Sequence, residues 1–395
     1  MGYLQEYINK GLTPSGLLDE LQRLVERYNR ATGRYLFLYV AAMFKHVPGI
    51  SLEEEDFYII RDMLQGVRDY DEIDVYIETP GGNGVTAEQI AKFLHSKFKK
   101  VNFVISGEAK SAGTILSMAG NEIYMTETGS LGPIDAQVSI GRTVVSAYDY
   151  MEWIQNKMGE ALNSGRLNPV DATMIAQITP GEIQLVNHSL EFAKDLVKEW
   201  LYKYKFEDWN ATETRHETVT DEMKHKRADE VASELANHSR WRTHGRSLGI
   251  EDLKSIGIKV VDLEKDEEIA EIVYRIQFVC KLLQESTSIY KLFYSKDDKI
   301  IKNAVAANIR NNQPQSIPQG IPQDAKIIQI EIPCINCGRK HRYYKKLIDS
   351  DEIDLEIKKQ NIKPIPNEDQ FTCECGNVID LRAIKNEIDM LPKKK

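Results

Sequence analysis

Apolar residues recur at helical spacing over 15–31, with Leu17, Leu18, Leu21, Leu24 and Val25 on one stripe and Gly33 just beyond. The unbroken apolar, aromatic-rich run 35–42 predicts a buried strand. A further helix is expected over 56–66. The chain then alternates: strand 74–78, helix 86–98, strand 101–106, helix 112–119 and a short strand 122–125. Strands alternating with helices in this way point to a parallel sheet covered by helices, an α/β fold. Residues 145–235 read as mostly helical, 252–256 and 259–261 as a closing helix and strand, and 267–294 as one long helix.

The alternation has a chemical consequence. Strands 74–78 and 101–106 should lie parallel and adjacent, joined by a right-handed crossover, so their C-terminal ends share one sheet edge. Thr79-Pro80-Gly81-Gly82 follows the first strand and Gly107-Glu108-Ala109-Lys110-Ser111-Ala112-Gly113-Thr114 follows the second. Ligands bind at that edge in open α/β sheets. A serine among small residues at a helix start, facing a Pro-Gly-Gly loop rich in backbone N–H donors, suits a nucleophile and an oxyanion hole. The plainer alternative makes Ser111 a helix N-cap and the glycines turn residues.

These residues, together with Leu131-Gly132-Pro133-Ile134-Asp135-Ala136-Gln137 and Trp241-Arg242-Thr243-His244-Gly245-Arg246, resemble the serine dehydrogenase proteinase family. That family belongs to the ClpP/crotonase-fold serine peptidases, and the resemblance spans roughly residues 15 to 262. It implies a ClpP-like spiral of ββα units with a helical insertion, Ser111 as nucleophile, and an oxyanion hole from the Gly82 and Ala112 amides with Gly81 beside them. It also implies a protein or peptide substrate and a homo-oligomer. Two positions depart from the family form: Lys110 stands where an apolar residue is expected and Ala136 where proline is expected. Adjacent helical residues point in different directions, so Lys110 is a poor base for Ser111 and reads as a solvated or substrate-facing charge.

In ClpP-like peptidases a histidine follows the nucleophile and an acid lies much later. Here Asp135 occupies the histidine's region and His244 lies close to the acid's, as though the two types were exchanged. This assigns His244 as general base and Asp135 as the group that orients it. His238 is the rival for either role. Lys157 is the candidate if a lysine serves as base, as in signal-peptide-peptidase relatives. The alternative for the pair is a turn-capping Asp135 and a core His244.

Charge and cysteines refine the rest. The net charge of -9 over 395 residues disfavours a general nucleic-acid binder. No signal peptide is evident, and the longest apolar run is far short of the roughly 20 residues that span a bilayer, so a cytoplasmic protein is expected. Of five cysteines, Cys280 sits alone in an apolar helical stretch. Cys334-x-x-Cys337 and Cys373-x-Cys375 read as a zinc ribbon with a structural zinc, four thiolates closing a tetrahedral shell and His341 a substitute ligand. The basic residues around it (Arg339, Lys340, Arg342, Lys345 and Lys346) read as a solvated face, with nucleic acid or an acidic partner as the alternative. The expected organisation is a peptidase-like domain over 1–265, a long helical segment over 266–302, a Pro/Gln-rich linker over 303–325 and the cysteine module over 326–395. No G-x-x-x-x-G-K-[ST] occurs, so a partner unfoldase is conceivable but has no support in the chain. Two rivals stand beside the peptidase: a crotonase-type enzyme using the paired amides on an acyl-CoA enolate, and a non-catalytic binding protein whose working part is the ribbon.

Overall fold

The computed structural model describes residues 2–140, 143–212, 215–304, 327–334, 339–347, 362–368, 370–374, 378–381 and 385. It divides into two compact units, residues 1–304 and 305–395.

The first unit begins with helices α1 (Tyr3–Lys10) and α2 (Pro14–Thr32), the latter started by the Thr13 side chain and stopped by Gly33 in the left-handed conformation. Strand β1 (Tyr35–Ala41), helix α3 (Glu54–Gln65), strand β2 (Glu72–Glu78), helix α4 (Gly84–Lys97) and strand β3 (Lys100–Ile105) follow. Then come strand β4 (Glu108–Ala109), helix α5 (Ala112–Ser117), and strands β5 (Glu122–Met125), β6 (Ser130–Leu131), β7 (Gln137–Ile140) and β8 (Thr143–Ser146). Helices α6 (Ala147–Ser164), α7 (Pro169–Ile175), α8 (Pro180–Trp200), α9 (Asp221–Leu235), α10 (His238–Trp241) and α11 (Ile250–Ser255) form the helical insertion and its return. Strand β9 (Val261–Asp262), helix α12 (Glu267–Ser286), and strands β10 (Ile289–Tyr294) and β11 (Lys299–Asn303) complete the unit.

Seven strands form one sheet in the order β11-β10-β1-β2-β3-β5-β9. β1, β2, β3, β5 and β9 are parallel to their neighbours, and β10 and β11 join antiparallel. Alternation along β1 splits its side chains between two cores. Tyr35, Phe37 and Tyr39 face α3, α4, α5 and the insertion, while Leu36, Leu38 and Val40 face α1, α2 and α12. Burial on both faces explains the unbroken apolar run.

The stretch expected to be one long helix over 267–294 differs. The helix stops at Ser286, and Ile289–Tyr294 pairs with β1. Aromatic and aliphatic residues buried on both faces of a strand show no period that separates them from a buried helix. Residues 266–302 fall within the first unit. Its Lys291, fully buried, donates to Asp56 and to the Ser51 carbonyl at 2.7 and 2.8 Å. The expected linker lies outside the described residues from 305 onward.

In the second unit, β12 (Ile327–Pro333) pairs antiparallel with β13 (Lys340–Lys346), which pairs with β14 (Lys363–Pro364). β15 (Gln370–Thr372) pairs with β16 (Val378–Asp380). Among the described residues, no helix is long and apolar enough to cross a membrane.

Candidate active site

The parallel pairing of β2 with β3 carries both loops to one sheet edge. Beyond the strands the two segments stay in register. Thr79 N–H donates to the Glu108 carbonyl at 2.9 Å and Lys110 N–H to the Thr79 carbonyl at 3.0 Å. This ladder sets Gly81 against the serine: a Cβ on Gly81 would lie 2.5 Å from Ser111 Cβ and 2.7 Å from the Lys110 carbonyl oxygen. Gly82 is held from its other side, since Leu52 N–H donates to the Gly81 carbonyl at 2.7 Å and Asn83 N–H to the Leu52 carbonyl at 2.9 Å. A Cβ on Gly82 would fall 2.4 Å from the Leu52 oxygen. Both glycines have positive φ, +98° and +145°, so only glycine fits these positions easily. The 51–53 segment carries no chemical motif that would mark it in the sequence; Leu52 makes a strand-like pairing with Gly82.

Ser111 has φ 50° and ψ -117°, in place of the extended backbone of an N-cap, and its side chain makes no capping hydrogen bond. Such a conformation costs about 1–3 kcal/mol in a non-glycine residue. It is held by the Gly113 N–H to Lys110 carbonyl and Ile115 N–H to Ser111 carbonyl bonds, 2.8 and 3.0 Å. Thr114 Oγ1 donates to the Ala109 carbonyl and accepts from Gly132 N–H, both 2.8 Å, tying the 131–137 motif to the serine turn. Of the three amides expected at an oxyanion hole, Gly81 N–H donates to Thr79 Oγ1 at 3.2 Å. The Gly82 and Ala112 N–H groups have no acceptor among the described residues. Gly82 is exposed and Ser111 half-buried.

Asp135 is 2% exposed, and its carboxylate receives two imidazoles. His244 Nδ1 lies 2.8 Å from Oδ1 and His238 Nδ1 3.1 Å from Oδ2. Burial alone would raise the Asp135 carboxyl; the hydrogen bonds and charges of His244 and His238 outweigh it and hold the group below its usual range. His238 Nε2 also reaches Asp149 Oδ1 on α6 at 3.3 Å, and its ring stacks on Tyr148. The His244 turn is anchored by Trp241, whose Nε1 donates to the Glu234 carbonyl at 2.7 Å. Asp135 thus meets both candidate histidines. Among the described residues, no hydrogen bond joins His244 to Ser111.

Lys110 corrects the sequence reading. It is 6% exposed, neither solvated nor open to a substrate. Its Nζ donates to Ser247 Oγ at 2.8 Å, the Leu131 carbonyl at 3.1 Å, Ser130 Oγ at 3.2 Å and the Arg246 carbonyl at 3.4 Å. A lysine surrounded by acceptors on distant segments cannot be told from a surface lysine by its neighbours in sequence. Lys157 is ion-paired to Asp171 at 2.9 Å and Glu160 at 3.0 Å; both raise its pKa, away from what a general base needs.

In the second unit Cys334 and Cys373 are buried, and His341 Nε2 lies 3.2 Å from Cys373 Sγ. Cys337 and Cys375 lie outside the described residues. Among the described residues no group of three or more His, Cys, Asp or Glu side chains is arranged to hold a metal ion. Lys340 and Arg342 both pair with Glu331, at 2.7 and 2.9 Å, and Arg339 pairs with Glu374.

Residues 49–208 match the family model described as ClpP-like SDH-type serine proteinase. That span holds Gly81, Gly82, Ser111 and Asp135, whereas His238 and His244 lie beyond it. Two uncharacterized proteins of Methanocaldococcus jannaschii are 28% and 25% identical over 190 and 209 residues, 48% and 53% of this chain. These alignments cover 51% and 58% of the relatives, so the chain spans about half the length of the curated relatives it matches. Two solved structures of mutants of the 1510-N membrane-bound stomatin-specific protease, one with a substrate peptide, are 12% identical, with TM-scores of 0.33 and 0.32. They cover 56% and 64% of this chain and 79% and 83% of their own.

Proposed function

We propose that the chain is a serine peptidase with a ClpP-like spiral fold that cleaves protein or peptide substrates through a Ser111 acyl-enzyme. One observation carries the reading: Ser111 stands at the start of α5 in a strained conformation without spending its hydroxyl on the helix. The family-model match over 49–208 supports it.

In this reading the Ser111 oxygen attacks the scissile carbonyl carbon. The hydroxyl proton passes to His244 Nε2, whose other nitrogen is held by Asp135. Negative charge developing on the carbonyl oxygen is met by the Gly82 and Ala112 N–H groups, with Gly81 admitting the close approach. His244 then returns the proton to the leaving amine, and water repeats the cycle to release the acid. A crotonase-type use of the same amides would leave Ser111 inert toward a fluorophosphonate, and a ribbon-based binding protein would leave it dispensable. Comparing Ser111→Ala, His244→Ala and Asp135→Asn in a peptide-hydrolysis assay tests the reading. Loss of turnover in Ser111→Ala is expected, and full activity in His244→Ala would remove it from the base role.

A cytoplasmic homo-oligomer belongs to the same reading; Met158, Leu162, Val170 and Met174 on the insertion are exposed apolar residues suited to contact with a second copy. For the second unit the reading is a structural zinc held by Cys334, Cys337, Cys373 and Cys375. The burial of Cys334 and Cys373, and the His341 ring beside Cys373, fit such a group. The zinc would staple a small core. Metal analysis should return about one zinc per chain; none in natively purified protein would contradict the assignment.

A further inference from the structure

The three segments that carry the proposed machinery reach the sheet edge from far apart in sequence. Ser111 follows β4, Asp135 follows β6, and His244 precedes the 246–248 segment. Leu131 and Leu248 exchange two backbone hydrogen bonds of 3.0 and 2.9 Å, which join the second segment to the third. One side chain joins both of them to the first. Lys110, covalently next to Ser111, directs its ammonium at Ser130 Oγ and the Leu131 carbonyl, just upstream of Asp135. The same ammonium reaches the Arg246 carbonyl and Ser247 Oγ, just downstream of His244.

The surroundings are shaped for this side chain. A Cβ on Gly132 would stand 3.0 Å from Lys110 Cδ and 3.6 Å from the Arg246 carbonyl oxygen, so glycine makes room for the aliphatic stem. An ammonium has three donors and no acceptor, and all four polar atoms around it can accept. Glu108 Oε1, at 3.7 Å, supplies opposite charge and also accepts from Ser247 Oγ at 3.4 Å. Burial lowers the amine's pKa, with Glu108 opposing, so the charged form is tolerated only because these acceptors face it. An apolar side chain of the same length would fill the space but take the donor from all four, leaving the Leu131 carbonyl only the Leu248 N–H and Ser247 Oγ only Glu108.

Resting on the peptidase reading above, we propose that Lys110 is a positioning residue: its buried ammonium fixes the distance between Ser111 and the Asp135–His244 pair. It touches neither substrate nor the reacting atoms, and its effect passes through the 130–131 and 246–247 segments. Misplacement of catalytic groups by an ångström lowers rate with little change in substrate affinity.

The test uses the full-length chain. Lys110→Met keeps the stem and deletes the donors. The rate of Ser111 labelling by a fluorophosphonate should fall about ten- to a hundred-fold, with the KM for a peptide nearly unchanged. The His244 imidazole signals in a 15N-histidine-labelled sample should move. Ser247→Ala, which deletes the shortest acceptor and its bond to Glu108 but keeps the other three, should show a smaller fall in the same direction. The double variant should be no slower than Lys110→Met, because the two act as a unit. Wild-type labelling and unmoved His244 signals in folded Lys110→Met would overturn the proposal. If Lys110→Met fails to fold, unchanged rate and signals in Ser247→Ala overturn it. An unreactive wild-type Ser111 would remove the peptidase reading instead. The imidazole signals would then still decide whether Lys110 places His244.

Discussion

Around Ser111 geometry is fixed almost wholly by main chain: the β2 and β3 ends, the Thr79–Ala109 ladder, two glycines with positive φ, and the Leu52 pairing. Around Asp135 it rests on side chains from separate segments: two imidazoles and Asp149 on α6, with the Lys110 ammonium bonded to the neighbouring 130–131 and 246–247 segments. The first arrangement leaves marks in sequence, because glycine is required wherever backbone must approach closely. The second leaves few, since a histidine or lysine on a loop looks the same whether it faces water or a buried carboxylate. The difference also sets what can be changed: the backbone half should tolerate almost nothing, the side-chain half graded losses.

Gly81→Ala should break the first half most severely. The new methyl would meet Ser111 Cβ and the Lys110 carbonyl, neither of which can swing aside. We expect peptide turnover to fall about a hundred-fold or more, with a lowered Tm; near-wild-type values would show that the close approach is not needed. Asp135→Asn comes next, with an expected loss of about a hundred-fold in kcat/KM. His238→Ala, which removes the imidazole on the other carboxylate oxygen, should cost only a few-fold. A larger loss for His238→Ala than for His244→Ala would exchange their roles.

The smallest effect concerns Glu78, at the end of β2 directly before the glycine loop. Burial pushes its carboxyl up to about 7, Tyr76 opposing through a hydrogen bond and Glu108 adding to the rise. The folded chain then holds this proton to higher pH than the unfolded chain, whose value is near 4.5. The stability Glu78 contributes is complete below 4.5 and is lost as pH rises toward 7. Glu78→Gln should therefore flatten the fall in Tm between pH 5 and pH 8; an unchanged slope would show that Glu78 is not its source.

Much of the scaffold was legible. The unbroken run of β1, the alternation through β5 and the two loops at one edge follow from burial and crossover geometry. The Asp135–His244 contact was legible only through a resemblance, and the structure adds His238 to it. Three features were hidden for physical reasons. β10 is apolar on both faces and carries on the pattern of α12, so periodicity could not end the helix. Lys291 and Lys110 are buried because distant acceptors surround them, and a lysine's own neighbours say nothing of that. The N–H of Gly81 is already taken by Thr79 Oγ1, which leaves Gly82 and Ala112 as the open pair.

The most direct measurement is site-mapped labelling by a fluorophosphonate, followed by mass spectrometry in wild type and His244→Ala. The account predicts an adduct on the peptide containing Ser111, formed about 10²–10⁴-fold more slowly without His244. No adduct on Ser111, or an equal rate in the two proteins, would contradict it.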